Sequence, residues 1–151
     1  MRWFVERVVL TILGVLVICT IALASGAEVD KKWTYDAGIG FEGQAAIEND
    51  TVRLEVECGN GGGPSIALSS EIKLSLGEMP IIIFKIDGKN HDVAFQCFAD
   101  GKKCGSFGFP SREVITALQR GNQLEIIDVG SFSLKGSNAA LSGLSYCLDP
   151  A

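Results

Sequence analysis

Residues 51–58 read TVRLEVEC. In an extended chain Val52, Leu54, Val56 and Cys58 fall on one side, and Arg53, Glu55 and Glu57 on the other. A period of two with one apolar and one charged face predicts a β-strand with a buried and a wet side. Cys58 lies on the apolar side, so the pattern also puts a cysteine in the core. Upstream, QAAIE at 44–48 predicts the partner strand, joined through the turn residues Asn49-Asp50.

The same reading extends outward. Ile66 and Leu68 mark a short strand, and EIKLSL at 71–76 alternates again. PIIIFKI at 80–86 is nearly continuous in apolar residues, which predicts a central strand covered on both faces. Asp87-Gly88-Lys89-Asn90 predicts a turn, and HDVAFQCF then sets Val93, Phe95 and Cys97 on one face. QLEIIDV at 123–129 and SFSLK at 131–135 complete a set of seven or eight strands. Two short helices are expected. Ser111 caps REVITALQR, which ends at Gly121, with Val114, Ala117 and Leu118 as its apolar stripe. Ser137 caps NAALSGLSYC, with Ala140, Leu141 and Leu144 on one side. Strand runs broken by turns predict a mainly β domain: an antiparallel β-sandwich or partly open barrel with two short helices.

The start of the chain is of another kind. Arg2, Glu6 and Arg7 precede the uncharged run VVLTILGVLVICTIALA at 8–24, and small residues close it as Ser25-Gly-Ala27. A charged end, apolar middle and small-residue exit predict a signal peptide over residues 1–27. Cleavage is expected after Ala27, with Ala24 as the alternative. An uncleaved membrane anchor is the competing reading, since 17 residues lie at the lower edge for spanning a bilayer. Either way residues 28–151 form a single domain outside the cytoplasm, periplasmic or secreted in one case and membrane-anchored in the other. Cys19 follows Ile18 rather than a small residue, so lipid attachment there is not expected.

Removal of the leader leaves four cysteines: Cys58, Cys97, Cys104 and Cys147. An even count in a small exported domain predicts two structural disulfides. Three pairings are possible. Cys97 and Cys104 flank the loop FADGKK, which suits a bridge at a hairpin end, and Cys58 would then join Cys147 in the last helix. Redox catalysis fits less well because C-x-x-C is absent, and the Cys97–Cys104 spacing is too wide for a zinc knuckle.

Composition excludes several functions. The 151 residues carry 18 acidic against 13 basic side chains, for a net charge of −5, which argues against a nucleic-acid surface. A single His leaves little for a multi-His metal centre, and no cofactor is implied.

Residues 117–147 read ALQRGNQLEIIDVGSFSLKGSNAALSGLSYC. The order helix, glycine, apolar strand and F-S-L-K-G-S-x-A-A-L before a cysteine resembles small exported bacterial proteins of the invasion-associated locus B type. It is also similar to the type VI secretion accessory proteins of the VasI type. The likeness covers the last third of the chain and extends loosely to Trp33 and the Cys58 strand. It implies envelope location and fold, and no catalytic residue carries over.

Five constellations bear on chemistry. His91-Asp92 is the one His–acid neighbour pair, but no G-x-S-x-G accompanies it, and solvated turn residues are the preferred reading. Glu55 and Glu57 share a strand face at roughly 6–7 Å, near glycosidase spacing, yet two solvated acids are again preferred. GNGGGP at 59–64, with Asn60, lacks the Lys-Ser/Thr of a phosphate loop and is read as a mobile loop open to partners. Trp33 and Tyr35 share a face of an N-terminal strand, as a core cap or, alternatively, a surface for sugar or protein. Phe107 and Phe109 flank a glycine in CGSFGFP, pinned by Cys104, and would anchor a protein partner. The leading expectation is therefore a non-enzymatic envelope or secreted protein that binds another envelope or host protein through loops 59–65 and 98–110. Inhibition of a cell-wall or host hydrolase is the second, and a hydrolase using Glu55 and Glu57 the third. Membrane contact is expected only through an uncleaved N-terminal segment.

Overall fold

The computed structural model describes residues 31–38, 43–59 and 63–148. The leader, its cleavage site, Cys19 and Asn60 lie outside them. Nine strands form one antiparallel, mainly β sheet curled into a half-barrel: β1 (Thr34–Asp36), β2 (Gly43–Glu48), β3 (Val52–Cys58), β4 (Pro64–Ser70), β5 (Ile81–Ile86), β6 (Lys89–Cys97), β7 (Lys103–Ser106), β8 (Gln123–Ile126) and β9 (Gly130–Ser133). Their order across the sheet is β1-β2-β3-β4-β7-β6-β5-β8-β9. Three helices accompany them: α1 (Arg112–Arg120), α2 (Ser137–Ser142) and α3 (Ser145–Leu148).

The alternation in TVRLEVEC is realised in β3. Leu54 stands opposite Ile47 of β2 and Leu68 of β4, and Leu68 opposite Cys104 of β7. The inner row continues through Phe84 of β5, opposite His91 and Ile126, and through Leu124 opposite Phe132. These side chains are buried, and Val114, Ile115 and Leu118 of α1 with Leu141 and Leu144 complete the core. The Asn49 carboxamide accepts from the amides of Thr51 and Val52, so the β2–β3 turn is held by its own side chain.

The sheet edges approach each other. Trp33, immediately before β1, donates its indole N–H to the Ser133 carbonyl of β9 at 3.0 Å. Asn49 lies against Gly130 of β9, where a Cβ would come within 2.7 Å of its amide nitrogen. Among the described residues, side chains thus bridge the opening.

Two cysteine pairs stand at disulfide distance, Cys58 with Cys147 and Cys97 with Cys104. The first ties β3 to α3, and the second crosses the β6–β7 ladder, where the two residues are directly opposed.

Several expectations are corrected. EIKLSL is not a strand: the Leu74 amide bonds to the Gly101 carbonyl, and the segment runs as a connection between β4 and β5. PIIIFKI is covered on one face only, because Ile82, Phe84 and Ile86 point inward while Ile81 is exposed. Lys89 and Asn90 belong to β6, since Asp87 and Gly88 make the two-residue turn alone with φ of 47° and 86°. The last helix is two helices, with Gly143 between them. Ser137 does not cap α2. Gly136, at φ 91°, occupies the cap, and the Ser137 hydroxyl instead donates to the Leu118 carbonyl at 2.7 Å, satisfying one of the last open carbonyls of α1. Helix α1 is capped as expected, Ser111 accepting from the Val114 amide and the Gly121 amide donating to the Ala117 carbonyl, but Ile115 joins Val114 and Leu118 in the core while Ala117 is only partly buried.

Candidate functional site: an aromatic outer face

The β5 ladder runs on past its formal start. Phe95 and Cys97 donate their amides to the carbonyls of Pro80 and Glu78, both at 2.8 Å. Alternation then places Met79 and Ile81 on the outer face. Ile81 stands opposite Ala94 of β6, and the Phe107 amide bonds to the Ala94 carbonyl at 2.8 Å. Ile81, Ala94 and Phe107 therefore form one cross-strand row. Phe98, two residues beyond Gln96 on the same outer face of β6, bonds to the Lys103 carbonyl where the β6–β7 hairpin begins.

Phe107 and Phe109 owe their placement to Ser106 and Gly108. The Ser106 hydroxyl accepts from the Ile66 amide and donates to the Gly108 carbonyl. Gly108 has φ 80°, a left-handed conformation that a side chain would strain. The turn sends both rings outward. The Phe109 ring also lies over Gly63, where a Cβ would come within 2.4 Å of it. Loops 59–65 and 98–110, singled out separately in the sequence, therefore meet at this contact.

Met79, Ile81, Phe98, Phe107 and Phe109 are 62–70% exposed. Farther along the same sheet face the surface becomes charged, with Asp92 opposite Ile83 and an ion pair between Lys85 and Glu125 at 3.2 Å. An apolar centre bordered by polar residues is the anatomy of a protein-binding surface. Sequence reasoning singled out Phe107 and Phe109, included Phe98 only as the first residue of the 98–110 loop, and did not name Met79 or Ile81. A local signal was available for Met79 and Ile81: Lys85 interrupts the apolar run on the Ile81–Ile83 side, which marks that side as wet.

The titratable pairs singled out in the sequence are separated by the fold. His91 and Asp92 lie within β6 on opposite faces, so neither is the solvated turn residue expected. His91 is buried against the core, with Nδ1 at 3.9 Å from the Glu113 carboxylate, while Asp92 is exposed. Glu55 is likewise not a solvated acid. Its side chain is 10% exposed and accepts from the Arg53 guanidinium at 2.6 Å, and it sits between Ala46 and Ala67 in the outer row. Glu57 faces Lys103 at 3.9 Å. Each carboxylate thus meets its own cation. Among the described residues no group of three or more His, Cys, Asp or Glu side chains could hold a metal ion.

No family model matches the chain. Neither curated proteins nor solved structures give a match.

Trp33 and Tyr35 form the other expected pair, and they do share a face. The Trp33 indole is buried, as the core-cap reading expects. Tyr35 is 44% exposed and donates its hydroxyl to the Gly143 carbonyl at 3.0 Å. Together with Ser133, Lys135 and the start of α2 they line a cleft of about 500 Å3 at the seam between the sheet edges.

Proposed function

We propose that this chain is an exported, non-enzymatic envelope or secreted protein that works by binding another protein. Its contact surface is the outer face of β5, β6 and β7 around Ile81, Phe98, Phe107 and Phe109. The observation that carries the reading is the cross-strand row from Ile81 to Phe107, continued by Phe109 over Gly63. Large apolar side chains gathered on one sheet face are costly to leave in water and mark association sites in stable proteins. The cysteine pairs support an oxidising compartment. Among the described residues no helix is long and apolar enough to cross a membrane.

Crosslinking and mass spectrometry in intact cells test the reading. Crosslinks from the 98–110 segment to a single partner are expected, and they should vanish in a Phe107→Ala/Phe109→Ala variant that keeps the wild-type circular dichroism. Unchanged partner crosslinks in that variant would overturn the surface assignment.

A further inference from the structure

The outer face of β5, β6 and β7 carries both knobs and hollows. In the row Ile81–Ala94–Phe107, two large side chains stand on either side of a single methyl group. In the next row Gly105 lies between Gln96 and Ala67, and a Cβ placed on it would meet no atom within 4 Å. Exposed side chains therefore alternate with open recesses on one patch. The helices pack on the inner side, where Val114, Leu118, Leu141 and Leu144 share the core with Phe84, and leave Ile81 and Phe107 exposed.

Area and charge narrow what can cover this patch. At 62–70% exposed, the three Phe rings alone offer roughly 300–500 Å2 of apolar surface. A stable interface takes about 800 Å2 from each partner, a little over half of it apolar. The rings with Met79 and Ile81 thus supply the apolar share of one whole interface. Charge around them is balanced. Lys85 pairs with Glu125 at 3.2 Å and Lys103 faces Glu57 at 3.9 Å, which leaves Asp92 as one surplus acid at the border. Recognition of a charged partner calls for a face of one sign. A balanced face can meet its own copy without like-charge repulsion, even though the chain carries a net −5.

We propose that the occupant of this face is a second copy of this chain, docked outer face to outer face about a twofold axis. The inference rests on the reading of the face as an association surface and adds which protein covers it. A twofold contact applies one patch to itself, so each knob needs a hollow within that same patch. Ile81 and Phe107 supply the knobs, and Ala94 and Gly105 the hollows. A single helix or extended peptide would seek a groove or a free strand edge. The outer side of a half-barrel is convex, and its strands β5, β6 and β7 are paired on both sides.

Site-specific photocrosslinking in intact cells tests the proposal. Phe107 of the full chain is replaced by p-benzoylphenylalanine, and two copies with different epitope tags are expressed together. A crosslinked band bearing both tags is expected. It should be lost in Ile81→Asp, a change at an exposed position, and in Gly105→Leu, which fills a hollow where no atom stands in the way. The same probe at the exposed Asn138 of α2 should give no such band. Crosslinks from Phe107 to a different protein alone would overturn the second copy and leave the face standing as a protein-binding surface. No protein crosslink from Phe107 would overturn both readings. A band with both tags that survives Ile81→Asp and Gly105→Leu, or is as strong from Asn138, would mean that the copies meet elsewhere and would overturn the face as their contact.

Discussion

Tyr35 and Gly143 are 108 residues apart in sequence and joined by a hydrogen bond from the phenol to the glycine carbonyl. The Tyr35 ring lies where a Gly143 Cβ would be, 2.5 Å from that position. This contact fastens the first strand to the break between α2 and α3. It also explains a glycine at a right-handed helical φ of −63°, where nothing in the backbone calls for one.

A double-mutant cycle reads this contact. Alanine at a helical glycine normally stabilises by about 0.5–1 kcal/mol. Gly143→Ala is expected to destabilise the wild type instead, because the Tyr35 ring must move and its hydrogen bond is lost. In a Tyr35→Ala background the same change should stabilise. Urea unfolding of the four proteins gives both signs, and an unchanged sign between backgrounds would refute the coupling.

Ser137 is fully buried and joins the start of α2 to the end of α1. Ser137→Ala leaves the Leu118 carbonyl without that donor, so a loss of about 1–3 kcal/mol is expected. The exposed neighbour change Asn138→Ala should stay within about 0.5 kcal/mol. Thermal denaturation of the two variants separates these outcomes.

Asp87 holds the β5–β6 turn to the segment after α1. Its carboxylate accepts from the amides of Gln123 and Asn122, and those bonds keep its pKa below the ordinary Asp value. A depressed folded-state pKa contributes stability above the unfolded pKa, and that contribution is lost as pH falls through the folded value. Asp87→Asn keeps both the acceptor oxygen and a residue suited to left-handed φ. Its stability should therefore depend less on pH than the wild type below about pH 4. Denaturant midpoints measured from neutral to acid pH report the difference in slope, and identical slopes would remove Asp87 from the account.

The two cysteine pairs close loops of very different length, with separations of 89 and 7 residues. Chain entropy then assigns about 4–5 kcal/mol to Cys58–Cys147 and about 2–3 kcal/mol to Cys97–Cys104. Paired alanine variants are expected to lose stability in that order under oxidising conditions. Calorimetry showing the reverse order would mean that native packing rather than loop closure dominates.

Local pattern decided much of this molecule before any folding was seen. The period-two faces of β3 and β6, the Asn49 turn, the Ser111 cap and the spacing of Cys97 and Cys104 are short-range features, set by chain geometry over a few residues. Phe107 and Phe109 were legible for the same reason, as rings either side of a glycine. The misread features all depend on what stands opposite. EIKLSL has strand alternation but no free ladder to join. Ile81 is as apolar as Ile82; alternation puts them on opposite faces, and Lys85 is the single local mark of which face is wet. Ser137 has the chemistry of a cap, yet the nearer demand was an open carbonyl on another helix. Met79 and Phe98 became part of one surface, and Trp33 and Ser133 part of one seam, because β-ladder register and edge-to-edge closure bring distant segments together. Such long-range partners are chosen by the packing of the whole chain, so tertiary structure alone could decide them.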